Sequence, residues 1–398
     1  MAEPRRARNA GRADGWRRKE FGDVGELRVF AQKMREVFPQ LDMNHDVEWI
    51  AEAHGWPNHE VLTLADNDGE RTRGVSSFLF SRAKLVYALG PFVLMQPAVN
   101  QLKLYQDITS DRSDRFAAIG ACFEALFECM PEGSIVYAGA VPIGSDLHRQ
   151  LVGSGSPLRR RFRVLPWGGE SQHCRIRWEG NLERYFASIS ATSRKDLRRT
   201  DRALFADPAL KCDVRRFQST KEVEVFLRDG IDISDKTYQK RDLGLGISWG
   251  GAVERMIRFA AERDAFLGYI LYIDDVPAAF TYGFVLGKTA TMKQTGYDPV
   301  WASRQVGSVV FVEALRDIER TKLAVDYLDF MPDMTLFKLR TSNDRRAIRH
   351  YYLFKRSPLG GAQYWSLAAI DFLSRSLGRI ARRLKRGKPS EIEKYLAR

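Results

Sequence analysis

The sequence predicts a two-domain α/β protein built on a mixed, mostly antiparallel sheet that is flanked by helices. At 398 residues the chain is longer than one typical hydrophobic core requires, and it suffices for two. Its 44% apolar and 28% charged residues are ordinary for a globular protein. Short alternating segments typical of strands recur between segments with helical periodicity along the chain.

The net charge of +13 is concentrated at the two ends of the chain. Residues 1–19 carry a net +5 and residues 375–398 a net +7, which together account for all but one of these charges. The body between them is therefore nearly neutral. Basic tails of this kind favour contact with anionic lipid or nucleic acid, whereas the neutral body gives no such indication.

Cysteine and histidine show no metal or disulfide pattern. The four cysteines include no C-x-x-C pair, and no two of the six histidines are spaced four apart. We therefore expect reduced thiols, a cytoplasmic location and no metal ion. The first twenty residues lack the apolar core of a signal peptide, and no apolar stretch of about 18 residues predicts a membrane span.

Residues 1–24 are rich in Arg, Gly, Ala and Asp and are predicted to form a disordered basic tail. Residues 25–170 are predicted to form a first, small domain. The basic run at 159–163 is interpreted either as a solvated loop or as a phosphate contact. Helices are expected at 24–38, 46–54, 116–130 and 144–152, and strands at 60–65, 74–82, 85–89, 102–105 and 134–138.

A second domain is predicted over residues 171–358. Residues 359–398 complete the chain as a basic amphipathic helix and tail. This helix either packs on the body or lies on an anionic membrane surface. In the second domain, helices are expected at 181–189, 193–205, 221–231 and 253–262, and strands at 174–178, 214–217, 266–273, 278–285, 325–330 and 349–355.

The most informative stretch runs from Gly287 to Arg320 and is typical of a strand, a loop and a helix. Residues 289–295 alternate as a half-buried strand does, and a Pro-containing turn and an amphipathic helix follow. Gly307 lies in the first helical turn, whose exposed N–H groups and helix dipole suit a phosphate, and Arg304 adds a positive charge. A packing or capping role for the glycine is the alternative interpretation.

The spacing Arg304-x-x-Gly307-x-Val309 resembles the pyrophosphate loop R/Q-x-x-G-x-G/A of the GNAT acyltransferase superfamily. It departs from the pattern at Val309, where Gly or Ala is usual. Further motifs occur in the order that is typical of the FemAB-like/CelD-like branch, in which a degenerate first GNAT-like domain precedes an acyltransferase domain. These motifs are S-R-K-D-L-R-R (193–199), D-K-T-Y-Q-K-R-D-L-G-L-G (235–246), Y-I-D-D-V-P-A-A-F (272–280), T-G-Y-D-P (295–299) and Y-L-D-F-M-P-D-M-T-L-F-K (327–338).

The resemblance implies a GNAT-family enzyme that transfers an acyl group from acetyl-CoA or another acyl-CoA to an amine. It implies that pantetheine pairs with a splayed strand beside residues 293–298. The acceptor would be an amino sugar or another amine in envelope or exopolysaccharide biosynthesis. The residues implied in binding the CoA pyrophosphate are Arg304, Gln305, Gly307, Ser308 and Val309.

Three residues are candidates for the chemistry. Asp329, at the end of the strand after the phosphate helix, is the candidate base, directly or through water, although a strand-end Asp is often only a cap. Lys338 is a candidate for oxyanion stabilisation or for binding an acidic acceptor, with a plain surface lysine as the alternative. Tyr297 is a candidate proton donor. Phe337 replaces the Tyr that is common in the family, so a Tyr general acid is absent at that position.

The acceptor is expected beside the K-T-Y-Q segment, which the family resemblance places at the cleft. Lys236, Tyr238 and Gln239 are the candidate contacts, and Tyr238 is a second candidate proton donor. Helix capping is the competing interpretation of these three residues.

Two other functions compete with this one. In the first, the donor is an aminoacyl-tRNA, as in Fem-type ligases; the basic runs at 159–163 and 194–199 support it, and the neutral body argues against it. Apart from that alternative, nucleic acid is not an expected partner. In the second, the protein is a non-catalytic accessory protein at the membrane, and the basic C-terminal helix is the segment that carries its function.

Overall fold

The strands and helices follow one another much as the sequence patterns predict. The computed structural model describes residues 15–54, 60–69, 71–90, 92–105, 107–237, 240–241, 244 and 246–385. The strands are β1 (Trp16–Lys19), β2 (Glu60–Asp68), β3 (Arg71–Lys84), β4 (Tyr87–Leu89), β5 (Phe92–Met95), β6 (Ala98–Tyr105), β7 (Thr109–Ser110), β8 (Ile135–Pro142), β9 (Phe162–Arg177), β10 (Cys212–Phe217), β11 (Phe266–Ile273), β12 (Val276–Leu286), β13 (Thr289–Tyr297), β14 (Tyr327–Asp329) and β15 (Asp344–Lys355).

The helices lie on both faces of the sheet and at its ends. A 3₁₀ helix (Pro299–Arg304) precedes α10. The α-helices are α1 (Val24–Val37), α2 (Val47–His54), α3 (Arg115–Cys129), α4 (Asp146–Val152), α5 (Pro157–Arg161), α6 (Leu182–Ser188), α7 (Ala191–Phe205), α8 (Thr220–Lys236), α9 (Ala252–Ala261), α10 (Val306–Arg320), α11 (Leu336–Thr341) and α12 (Pro358–Lys385).

Within the described residues, thirteen strands form one sheet in the order β1-β2-β3-β6-β8-β15-β9-β14-β13-β12-β11-β10, and β7 pairs with β3. The pairs β6–β8 and β13–β14 are parallel, and the others are antiparallel. Strands β4 and β5 form a separate hairpin. The prediction of a mixed, mostly antiparallel sheet flanked by helices is confirmed.

The two halves of the chain share this sheet. Strand β9 crosses the predicted boundary at residue 170, and its Arg175 pairs with both β14 and β15. Strand β15 comes from the end of the second half, yet it lies between β9 and β8 of the first half. Strands of both halves therefore continue one hydrogen-bonded ladder at the centre of the molecule.

Helix α2 belongs to the first half and packs against the second half. Trp49 on α2 is buried against Phe259 on α9 and Phe284 on β12, with ring centroids 5.2 and 5.5 Å apart. Glu48 accepts hydrogen bonds of 2.7 Å from Arg35 on α1 and from Arg263 of the second half. Charge-assisted bonds from both sides hold this buried carboxylate and so link the two halves.

Two regions differ from the sequence predictions. The predicted disorder of residues 1–24 does not hold for β1, because Trp16 is buried in the core of the first half and β1 pairs with β2. The basic run at 159–163 is the end of α5 and the start of β9 rather than a loop, and Arg161 pairs with Glu124 at 2.9 Å. A short element of this kind carries too little periodicity to be recognised from sequence.

The first half of α12 packs on the body. Leu367 is fully buried in a cluster with Leu85, Leu165 and Phe354. Among the described helices, none combines the length and the apolar character that crossing a bilayer requires.

Candidate active site

The site is organised around a fork between two parallel strands. Strand β13 pairs with β14 only from Thr289 to Thr291, opposite Tyr327 to Asp329. Beyond that point β14 ends, whereas β13 continues to Tyr297 with β12 as its partner. Within the described residues, no strand covers the other edge of residues 292–297. An uncovered strand edge presents backbone groups that can bind an extended ligand.

The loop beyond the fork leads directly into a helix N-terminus. The Asp298 side chain accepts a hydrogen bond from the Val300 N–H at 3.0 Å and so begins the 3₁₀ helix. Gln305 has a left-handed backbone (φ 52°) that turns the chain into α10. The Gln305 carbonyl accepts bonds from the N–H groups of Ser308 (2.8 Å) and Val309 (3.3 Å).

Two backbone donors remain at this helix start. Among the described residues, the N–H groups of Val306 and Gly307 have no hydrogen-bond acceptor. They lie at the positive end of the α10 dipole, next to the loop, and this is the arrangement that a phosphate site requires. The N–H groups of Ser308 and Val309 are already used within the turn, and Val309 is buried. The first two positions are therefore better placed than the next two to bind an anion.

Gly307 allows the helix start to approach the open strand. A Cβ atom at this position would lie 3.2 Å from Cδ1 of Tyr297 and 3.5 Å from the Thr295 side chain. Both neighbours belong to the uncovered segment of β13. The helix N-terminus and the fork are thus parts of one continuous surface.

Side chains from three other segments hold the loop. Arg304 forms an ion pair of 2.9 Å with Asp207, so its charge is partly balanced. Gln305 accepts a long hydrogen bond of 3.4 Å from Thr200 on α7.

Lys236, at the end of α8, bridges Asp232 (2.9 Å) and Asp298 (3.1 Å). The hydrogen bond to Asp232 is the main reason why the pKa of the Lys236 ammonium is raised. Lys236 therefore contacts the start of the loop that leads into α10. Tyr238 and Gln239 lie outside the described residues.

Asp329 forms a buried pair with His173 at the end of β14. Its Oδ1 accepts hydrogen bonds of 2.7 Å from His173 Nε2 and from the Met331 N–H. Asp329 is 4% exposed and His173 2% exposed. His173 donates this bond in the tautomer that carries its proton on Nε2.

Lys338 is engaged with the loop that follows β14. Its ammonium donates to the Phe330 carbonyl and to the Asp333 carboxylate, each at 2.5 Å. It holds residues 330–333 in place next to the fork. Met331 in this loop has φ 63°, an unusual backbone for a residue with a side chain, and such conformations persist only where the surrounding structure enforces them.

A pocket of about 300 Å³ opens between the two halves beside the fork. Lys293 lines it from the open segment of β13, and Met331 lines it from beyond the end of β14. The pocket therefore begins where the two strands separate. Its walls are largely apolar or aromatic, with a few polar groups. The other lining residues are Met43, Asn44, Trp49, Ile50, Ala53, Ser77, Leu79, Lys103, Tyr105, Ala252, Val253, Met256, Tyr282 and Phe284.

Two lysines from opposite halves line this pocket. Neither Lys103 on β6 nor Lys293 on β13 makes a hydrogen bond or ion pair with another described residue. Burial lowers the pKa of the Lys293 ammonium, Lys338 adds to this effect, and Asp333 and Asp329 partly oppose it. The Lys293 side chain nevertheless keeps solvent access, since the pocket is open. Free ammonium groups in such a place attract an anionic part of a ligand.

The sequence patterns did not indicate His173, Lys103 or Lys293. His173 was one of several scattered histidines, and the two lysines look like outward residues of alternating strands. Only the pairing of β9 with β14 and the approach of β6 to β13 bring them to the fork. The one indication in the sequence was that Lys293 follows Met292 in a strand predicted to be half-buried. No cluster of metal-ligating side chains is present among the described residues.

We expect Lys293→Met to raise the melting temperature at neutral pH only slightly, by about 1 °C at most, because the side chain is exposed and solvent screens its charge. The folded-state pKa of Lys293 lies below its unfolded value, so folding disfavours the charged form at neutral pH. This cost falls as the pH rises toward about 10.4, the ordinary lysine value, so the gain from the substitution should shrink there. Melting curves between pH 7 and pH 10.5 measure it.

Lys33→Met on the exposed surface of α1 is the matched control for this variant. It should leave the melting temperature unchanged at every pH. Equal shifts in the two variants would contradict an unfavourable environment at Lys293.

The second half matches a known protein family. Residues 191–339 match the family model of an acetyltransferase (GNAT) domain, which includes α7, the fork and Lys338. No curated protein sequence matches the chain. The GNAT resemblance inferred from the sequence motifs is confirmed.

Several solved structures superpose on most of the chain. The crystal structure of FemX superposes with a TM-score of 0.57 at 11% identity, over 81% of this chain and 95% of that chain. The C-terminal domain of a putative lysylphosphatidylglycerol synthetase from Agrobacterium fabrum gives 0.49 at 10% identity (86% and 96%). A tandem GNAT protein from the clavulanic acid biosynthesis pathway gives 0.44 at 8% identity (86% and 98%). At 11% identity the likeness to FemX concerns the fold alone.

Proposed function

We propose that this chain, which carries a GNAT domain at residues 191–339 within a FemX-like fold, is an acyl-CoA-dependent N-acyltransferase. The observation that carries the proposal is the fork at β13 and β14, with a helix N-terminus at its mouth and a pocket at its base. These three parts match the three parts of the reaction: a thioester chain, a diphosphate and an amine acceptor. Holding both substrates in one cleft supplies much of the rate acceleration.

In this proposal the N–H groups of Val306 and Gly307 bind the CoA pyrophosphate, with Arg304 as a nearby cation. Gln305 shapes the loop through its left-handed backbone. Ser308 and Val309 contribute as the first turn of α10 rather than as direct donors. Lys236 acts at this loop through Asp298, which is a positioning role. The uncovered edge of residues 292–297 accommodates the pantetheine chain.

The reaction needs a base, because the acceptor amine is protonated at neutral pH. The base removes one ammonium proton, the amine attacks the thioester carbonyl, and the C–N bond forms as the C–S bond breaks. The second amine proton goes to the departing thiolate. We assign the base to Asp329, acting through a water molecule and oriented by His173. Tyr297 is our candidate proton donor to the thiolate, since it lies at the mouth of the fork; the second amine proton then replaces the proton that Tyr297 gives up. Lys338 orders the neighbouring loop.

The pocket between the halves is the proposed acceptor site. Its aromatic walls, from Trp49, Tyr105 and Tyr282, suit a ring or an apolar chain. Burial raises the pKa of the two phenols, which therefore remain hydrogen-bond donors at neutral pH. Lys103 and Lys293 favour an acceptor that also carries an acidic group. An amino sugar or another amine of an envelope or exopolysaccharide precursor is compatible with these features.

In the structure, the basic runs support a tRNA donor less strongly than they do in the sequence alone. Arg198 pairs with Glu183, Arg199 pairs with Asp196, and Arg161 pairs with Glu124. Paired arginines contribute less to the attraction of a phosphate backbone. For location we propose the cytoplasm, with peripheral contact to an anionic inner membrane through α12.

Titration with acetyl-CoA, longer acyl-CoAs and free CoA, followed by thermal shift and calorimetry, tests the proposal. A ligand that binds only the folded state stabilises it and so raises the melting temperature. The free energy of unfolding rises by about 2.7 kcal/mol when the ligand concentration is 100 times its Kd. Saturable binding of a CoA ligand is the expected result. Failure of every CoA ligand to bind at millimolar concentration would overturn the proposal, and tRNA binding would then be measured.

A further inference from the structure

The β4–β5 hairpin exposes an unbroken apolar strand. Phe92, Val93, Leu94 and Met95 are between 53% and 72% exposed. Single exposed apolar residues are common on protein surfaces, but four in succession are not. The hairpin is also separate from the main sheet, and a lone two-stranded hairpin has little stability of its own in water.

Helix α12 exposes a second apolar strip. Trp365 and Phe372 are 64% and 65% exposed, and Leu373 and Leu377 are about half exposed (52% and 49%). Trp365 and Phe372 are seven residues apart, so they lie on the same side of the helix. Leu367 on another side is buried against the body. The helix is thus apolar on two sides, and only one of them is covered.

Hydrogen bonds join the hairpin to the helix. The Gly90 N–H donates to Ser374 Oγ at 2.9 Å, and the Tyr87 hydroxyl lies 3.2 Å from Ser366 Oγ. The hairpin therefore runs beside α12 for two helical turns. We call the joined surface, formed by Phe92–Met95 with Trp365, Phe372, Leu373 and Leu377, the apolar ridge.

The positive charge that follows the apolar ridge in the sequence indicates which kind of surface the ridge binds. Residues 378–398 hold eight Arg and Lys against two Glu, and they continue directly from the ridge. A second copy of the chain packed on the ridge would double the positive charge that the assembly carries, which like-charge repulsion opposes. A surface of aromatic and aliphatic side chains that is followed in the sequence by a basic segment instead fits the interface of an anionic lipid bilayer.

We propose that the apolar ridge inserts into the headgroup region of an anionic membrane, with the hairpin as its deepest element. Phe92, Val93, Leu94 and Met95 enter the boundary with the acyl chains. The proposal adds the hairpin to the contact made by α12. It does not depend on acyl transfer, because the residues of the ridge are not among those of the fork or the pocket.

Cosedimentation of the full chain with vesicles tests the proposal. The vesicles are phosphatidylcholine with or without 30% phosphatidylglycerol, each at low and high salt. The test variant is Phe92→Ser/Leu94→Ser. The matched control is Val29→Ser/Val276→Ser, which removes apolar side chains that are 71% and 54% exposed on α1 and β12. Melting curves and CoA binding are measured on all three proteins.

We expect the wild-type chain and the control to bind the anionic vesicles and the hairpin variant to bind at least about tenfold more weakly. The deficit should persist at high salt, since the burial of each large apolar side chain contributes on the order of a factor of ten. Melting and CoA binding should stay unchanged. Wild-type affinity in the hairpin variant would overturn the proposal. So would failure of the wild-type chain to bind anionic vesicles, or a wild-type dimer that the hairpin substitutions dissociate.

Discussion

Gly307→Asp should weaken the binding of CoA at least about 100-fold. The new carboxylate would stand at the first turn of α10, beside the N–H groups of Val306 and Gly307. Two like charges 4 Å apart repel by about 4 kcal/mol at the effective dielectric constant of a protein surface, which is far more than a hundredfold in affinity. Calorimetric titration with acetyl-CoA and with free CoA measures the loss.

The matched control for this variant is Gly307→Asn, which has the same shape without the charge. Both substitutions place a Cβ atom 3.2 Å from Tyr297, so both require a small shift of that ring. A loss in the Asp variant that greatly exceeds the loss in the Asn variant identifies charge repulsion as the cause. Wild-type affinity in a folded Asp variant would remove the helix start from the CoA site.

Asp329→Asn should lower kcat by about 10²- to 10⁴-fold and leave the KM for acyl-CoA nearly unchanged. The substitution removes the proposed base but keeps its shape. The amide oxygen can still accept the hydrogen bond from His173, so the buried pair should hold and the melting temperature should change little. Release of the CoA thiol in the presence of an acceptor that the wild-type protein uses gives the rates.

Asp333→Asn serves as the control for Asp329→Asn. Asp333 lies in the same loop and pairs with Lys338, but its side chain is 69% exposed. Its loss should reduce kcat only slightly. A wild-type rate in Asp329→Asn would exclude that residue as the base. Equal losses in the two variants would point to a general electrostatic effect of the loop.

The strand, loop and helix of residues 287–320 could be predicted because their determinants are local. A strand, a Pro-containing turn, a glycine and an amphipathic helix all lie between Thr289 and Arg320, and their order specifies the backbone. The strand end at Asp329 was equally accessible, since a short apolar run ends there. Lys236 shows the limit of such reasoning. Its motif predicted a place at the acceptor cleft but not the ion pair with Asp298 that the packing of α8 allows its ammonium to form.

The remaining parts of the site depend on contacts between segments that are distant in the sequence. His173 and Asp329 are 156 residues apart and meet because β9 pairs with β14. Lys103 and Lys293 come from different halves of the chain. The same holds for the apolar ridge, whose hairpin and helix are separated by more than 250 residues.

By itself the sequence determined the fold class, the order of the elements, the GNAT loop and the basic ends, because periodicity, turn residues and charge act over a few neighbouring positions. Only the tertiary structure decided that the two halves share β9 and β15, that the fork opens after Thr291, and that Asp329 is buried against His173. It also decided which side of α12 is covered. Strand register and helix docking are the reason, since they minimise the exposed apolar surface of the whole chain, and no single segment contains that information.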